Sequence, residues 1–187
     1  ATSGAFAAGQ QTIPGAIYYS TNGGQSFNAS QTPSNTNAYR IELARRGSTV
    51  YALAGGFDSS IAGIWKSTNN GQTFTDAGMT GLPTTGDFKP GQMTYNCSIG
   101  VSPSDANVVY VGSNLRLYRT TNGGGNWSAV TDWAGDEGLP YIHADHHSIR
   151  FGSNGNTVYM GTDGGFFVST NGGAAWEERN VHMTSTQ

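Results

Sequence analysis

One cysteine, nine lysines and arginines, and no apolar run near the ~20 residues needed to span a bilayer mark what this 187-residue chain has little of. The single Cys97 excludes an intramolecular disulfide and leaves a cysteine-based zinc site without ligands. Few basic residues and a net charge of −3 leave no basic footprint for a polyanion, so nucleic-acid partners and membrane insertion are not expected. Charged residues at 11% and apolar residues at 36% both fall below the usual globular shares. The opening "ATSGAFAAGQQ" has neither a basic start nor an apolar segment, so any signal peptide is expected to lie outside this sequence. Glycine (28 residues), serine, threonine and asparagine fill the gap, a mixture that favours turns and strands.

That mixture is arranged periodically. "YYSTNGGQSF" (18–27) returns as "IWKSTNNGQTF" (64–74), "LYRTTNGGGNW" (117–127) and "FFVSTNGGAAW" (166–176). Its opening hydroxyl residue falls at Ser20, Ser67, Thr120 and Ser169, spacings of 47, 53 and 49. Upstream of the turns lie "STVYALAGG", "NVVYVGSN" and "NTVYMGTDGG", preceded in turn by "YRIELARRG", "NCSIGVSPSD" and "HSIRFGSNG". Alternation of Ile41 and Leu43, Ile99 and Val101, and Ile149 and Phe151 predicts strands, and no window holds a helical period. Four short strands per unit predict an all-β fold, a β-propeller of four-stranded blades that bury their faces against one another. The predicted boundaries are a partial blade over about 1–37 and blades over about 38–93, 94–141 and 142–187. A fragment of a larger ring is expected, with a closed four-bladed ring as the alternative.

The turns resemble the Asp-box, or BNR, repeat, Ser-x-Asp-x-Gly-x-x-Trp. The matching positions are Ser20, Asn22, Gly24 and Phe27; Ser67, Asn69, Gly71 and Phe74; Thr120, Asn122, Gly124 and Trp127; and Ser169, Asn171, Gly173 and Trp176. Such repeats occur in sialidases, sortilin-type propellers, xyloglucanase-like hydrolases, a photosystem II assembly factor and secreted bacterial propellers. The sequences Tyr141-Ile142-His143-Ala144-Asp145-His146-His147 and Gly161-Thr162-Asp163-Gly164-Gly165 are most similar to the secreted bacterial, sortilin-like group. The resemblance and the composition imply an extracellular, periplasmic or surface protein of a bacterium. Every copy departs from the pattern in carrying asparagine for the acid; its carbonyl can still accept backbone N–H bonds, but the lost carboxylate argues against cation binding in the boxes. The repeated turn is therefore expected to be scaffold. Aromatics before the boxes (Tyr18, Tyr19, Trp65, Tyr118, Phe166 and Phe167) are expected to pack between blades.

Candidate chemistry lies where the units differ. In an extended strand His143, Asp145 and His147 would share one side and His146 the other. Two imidazoles and a carboxylate form a possible zinc set, although the three would span ~13 Å on a straight strand and need a bend. The competing reading is a hydrogen-bonded structural cluster. The loop "TDWAGDEGLPYIHAD" gathers Asp132, Asp136, Glu137 and Asp145, which could hold calcium, flank a sugar, or simply be solvated. Asp163 stands where xyloglucanase-like enzymes carry a catalytic aspartate, yet Asp-Gly-Gly also suits a tight hairpin. With Asp136 it forms the alternative catalytic pair. Three arginines converging as in sialidases are not supported: Arg40 and Arg150 lie near inner strands, while Arg116 and Arg119 flank a box. No Ser-His-Asp triad is credible, and Cys97 reads as a small buried residue. The favoured function is an interaction module binding a protein or glycan partner; the alternative is a glycoside hydrolase of xyloglucanase-like or sialidase-like type.

Overall fold

A computed structural model describes residues 5–6, 12–34, 37–83, 86–88, 92–135 and 137–181. Among them there is no helix, so none is long and apolar enough to cross a membrane. Strands β1 (Ala5–Phe6) and β2 (Thr12–Ile13) pair antiparallel, as do β3 (Tyr18–Tyr19) and β4 (Asn28–Ala29). Three four-stranded antiparallel sheets follow. The first is β5 (Ala38–Arg46), β6 (Thr49–Gly56), β7 (Ile61–Ser67) and β8 (Thr75–Asp76). The second is β9 (Ser98–Val101), β10 (Val109–Gly112), β11 (Leu117–Thr120) and β12 (Ser128–Ala129). The third is β13 (His146–Phe151), β14 (Val158–Thr162), β15 (Gly165–Ser169) and β16 (Glu177–Glu178).

No sheet has a core of its own. Alternate residues of β6 serve two interfaces: Val50, Ala52 and Ala54 pack with Ile17, Ile41, Trp65 and Phe74 against the first hairpin. Tyr51 and Leu53 pack with Ile64 against Ile99, Val109, Val111, Tyr118 and Trp127 of the second sheet. Tyr110 and Leu117 then pack against Ile149, Val158, Met160 and Phe167 of the third. This period-two division is what a strand with both faces covered requires. Edge strands β5, β9 and β13 stand side by side around an open cleft of about 250 Å³ lined by Leu43, Arg45, Ile99, Val101, Ile149, Arg150 and Phe151.

The antiparallel order gives the stack two unlike ends. The turn face carries the links from first to second strand and the four recurring turns; the loop face carries the second-to-third hairpins and the long connections between sheets. In every recurring turn one hydroxyl and one amide oxygen take the same bonds. Ser20 Oγ, Ser67 Oγ, Thr120 Oγ1 and Ser169 Oγ accept from the N–H groups of Gly24, Gly71, Gly124 and Gly173 at 2.9, 3.0, 3.1 and 2.8 Å. Oδ1 of Asn22, Asn69, Asn122 and Asn171 accepts from the backbone N–H four residues on, at 3.0, 3.0, 3.0 and 2.9 Å. A neutral amide oxygen thus closes the turn without a carboxylate.

Candidate functional site

Two polar clusters of the loop face bear on the expected site residues, and the first is built round "HADHH". The extended reading of this segment holds only from His146 onward, because Asp145 is left-handed (φ 62°). Its N–H and that of His146 donate to the carbonyls of Asn114 and Ser113, both at 2.7 Å, pinning the chain to the second sheet before β13 begins. A register shift between His146 and Ser148 adds a second irregularity. Side chains of His143, Asp145 and His147 therefore take separate partners. The His143 ring lies over Gly164, where a methyl group would collide with it. Asp145 accepts from Nδ2 of buried Asn96. His147 Nε2 meets Asp163 Oδ1 at 2.6 Å.

Tyr95 completes the cluster. Its hydroxyl donates to both oxygens of Asp163, at 3.2 and 3.1 Å. Its ring stands edge-on to His147 with centroids 4.9 Å apart, yet the residue stays 54% exposed. Hydrogen bonding to Asp163 and its charge hold the Tyr95 phenol above its ordinary pKa. Burial, then the Asp163 charge, raises the Asp145 carboxyl, against the Asn96 bond and the neighbouring histidines. His146 is fully buried, and burial pushes its imidazole down to about 3, opposed by a backbone hydrogen bond to His143. Cys97 is buried in the core between the first and second sheets, and burial pushes its thiol up to about 12.

The second cluster centres on Arg116, which sequence reasoning placed beside a box. Arg116 in fact sits in the β10–β11 hairpin at the opposite end from the boxes. Its Nη1 lies 3.3 Å from Asp87 Oδ2, and its Nη2 lies 3.6 Å from Asp132 Oδ1 and 2.5 Å from Glu137 Oε1. Asp87 and Asp132 are each only 1% exposed. The Tyr118 hydroxyl also donates to Asp87, and burial raises that phenol strongly. Asp132 is thus not a solvated loop acid. The positive charge beside Asp87, Asp132 and Glu137 is the Arg116 guanidinium; Asp136, also in the expected calcium set, lies outside the described residues. Among the described residues no three His, Cys, Asp or Glu side chains are arranged to hold a metal ion.

Asp163 occupies a two-residue hairpin closed by the Thr162–Gly165 pair, with Gly165 at φ 112°. The geometry of a tight turn and the contacts of a site residue coexist there. Tyr95, Asn96 and Asp87 escaped sequence reasoning. Only Asn96 left a trace, since "NCSIG" aligns with "HHSIR" and sets Asn96 against His146.

Stacked four-stranded sheets around a common cleft, with cores only between sheets, define a β-propeller. Three solved β-propellers are similar in fold. An ancestral GH74 enzyme matches at 20% identity and TM-score 0.56 over 89% of this chain and 22% of its own. YCF48 bound to D1 peptide matches at 19% and 0.52, over 79% and 41%. A mutant Trypanosoma rangeli sialidase displaying trans-sialidase activity matches at 14% and 0.50, over 85% and 27%. The chain spans less than half the length of each. No protein-family profile and no curated protein matches it.

Proposed function

We propose that this chain belongs to a secreted or surface-exposed propeller whose loop face binds a protein or glycan partner. The observation that carries the reading is Tyr95, an exposed aromatic already held in place by Asp163 and His147. A ring with fixed rotamers loses little entropy on binding, and it offers an apolar face beside polar groups. The solved complex of YCF48 with a peptide supports a protein partner for this fold. The test is to immobilise the chain and screen peptides and oligosaccharides, then repeat with Tyr95→Ala. Binding should fall at least tenfold, about 1.4 kcal/mol, with the variant still folded by circular dichroism. Ligands that bind the variant equally well would place the partner elsewhere.

One observation favours a glycoside hydrolase as the second reading. Asp145 and Asp163 face the same cluster, and the raised Asp145 carboxyl has the character of a general acid beside a carboxylate. Release of reducing ends from a polysaccharide panel, abolished by Asp163→Asn, would favour catalysis over binding.

A further inference from the structure

The four recurring turns are alike in the bonds of their asparagine oxygen but differ at the next backbone nitrogen. In the second turn Asn70 N–H donates to Ser48 O at 2.9 Å. In the third Gly123 N–H donates to Asn107 O at 3.0 Å, and in the fourth Gly172 N–H donates to Asn156 O at 2.7 Å. Each bond ties the turn to the preceding loop of its own sheet. Among the described residues no group accepts the corresponding N–H of Gly23 in the first turn. Gly23 also has open space where a side chain would project, and Asn22, Gly23 and Phe27 are all exposed.

This nitrogen is the one that chemistry singles out. An asparagine followed by glycine cyclises when the next backbone nitrogen attacks the side-chain carbonyl carbon, and glycine permits the approach because it has no β-carbon. We infer that Asn22 is a site of spontaneous deamidation, selected over the other Asn-Gly pairs by a Gly23 amide that no described residue accepts. The bond from Gly23 N to Asn22 Cγ forms as the Gly23 amide proton is lost to water. The bond from Cγ to Nδ2 breaks, and the amide nitrogen takes up one proton from water to leave as ammonia. Water then opens the five-membered imide at either carbonyl, giving aspartate or isoaspartate at position 22. Neither oxidant nor metal is required.

The structure also says what each product does. Aspartate keeps both bonds accepted by Oδ1, from Ser20 Oγ at 2.9 Å and Ser26 N at 3.0 Å. It gives up only the bond that Nδ2 donates to Ser26 Oγ at 2.8 Å. Isoaspartate lengthens the backbone inside a turn closed by the 2.9 Å bond from Gly24 N to Ser20 Oγ, and unseats it. Either product makes the chain one charge more negative than −3.

The test is to age the folded full chain at mildly alkaline pH, digest it with trypsin and follow the amide-to-acid mass change by fragmentation. Cleavage after arginine and lysine leaves the four turns in separate peptides. One backbone hydrogen bond is worth roughly a fivefold factor in a local opening, so Asn22 should convert at least fivefold faster than Asn122 and Asn171. In urea Asn22, Asn122 and Asn171 should convert at similar rates. Equal rates in the folded chain would overturn the inference, as would no conversion at Asn22. A preference for Asn22 that survives unfolding would also overturn it, by assigning the selectivity to local sequence.

Discussion

At one end of the sheets, third and fourth strands join through turns held by neutral hydroxyls and amides, repeated four times with bond lengths that agree within 0.3 Å. At the other end, Asp87, Asp132 and His146 are buried, and among the described residues no such arrangement occurs twice. Repetition needs only short-range bonds that any unit can make for itself. The charged contacts instead reach across units, from Asp87 to Arg116 and from Tyr95 to Asp163. Stability of the turn face should therefore divide into small independent shares, whereas the loop face should fail at single residues.

The sharpest way to break this contrast is Arg116→Met. It leaves Asp87 and Asp132 buried without their cation, so urea denaturation should show a loss of ~3–5 kcal/mol. A smaller effect per pH unit should come from acid. The folded state keeps His146 neutral down to about 3, while the unfolded chain protonates it near 6.5. Unfolding then takes up a proton, and stability present above 6.5 should fall by ~1.4 kcal/mol per pH unit below it. His146→Leu should flatten that slope; a slope unchanged by the substitution would assign the titration to other groups. On the turn face, Ser169→Ala orphans the buried N–H of Gly173 and should cost about 1–2 kcal/mol. Ser20→Ala, whose Gly24 partner is exposed, should cost no more than about 0.5 kcal/mol by the same measurement. Equal costs for the two serines would show that burial does not grade the repeated turns.

Much of the architecture could be read before any coordinates because a propeller writes its signature locally. Each turn's hydroxyl, amide and aromatic sit within eight residues, and alternation along a strand reports its two covered faces. The loop-face clusters depend on chain distance instead: Asp87 meets Arg116 29 residues away, and Tyr95 meets Asp163 68 residues away. "HADHH" was conspicuous by composition, but its geometry hung on the left-handed Asp145, imposed by carbonyls of Ser113 and Asn114. Neither of those residues looks unusual in sequence. The acidic loop was visible as well, while the arginine that neutralises it was hidden by its place next to a repeated motif.

The division of β6 between two cores has a consequence for error. Tyr51 and Leu53 face one neighbour, and Ala52 and Ala54 face the other. Deleting one residue from this strand would send large side chains where small ones fit and small ones where large ones are needed. Both interfaces would be spoiled by one slip, one overfilled and the other hollow. The strand thus acts as its own proofreader, since a misaligned pairing gains neither core.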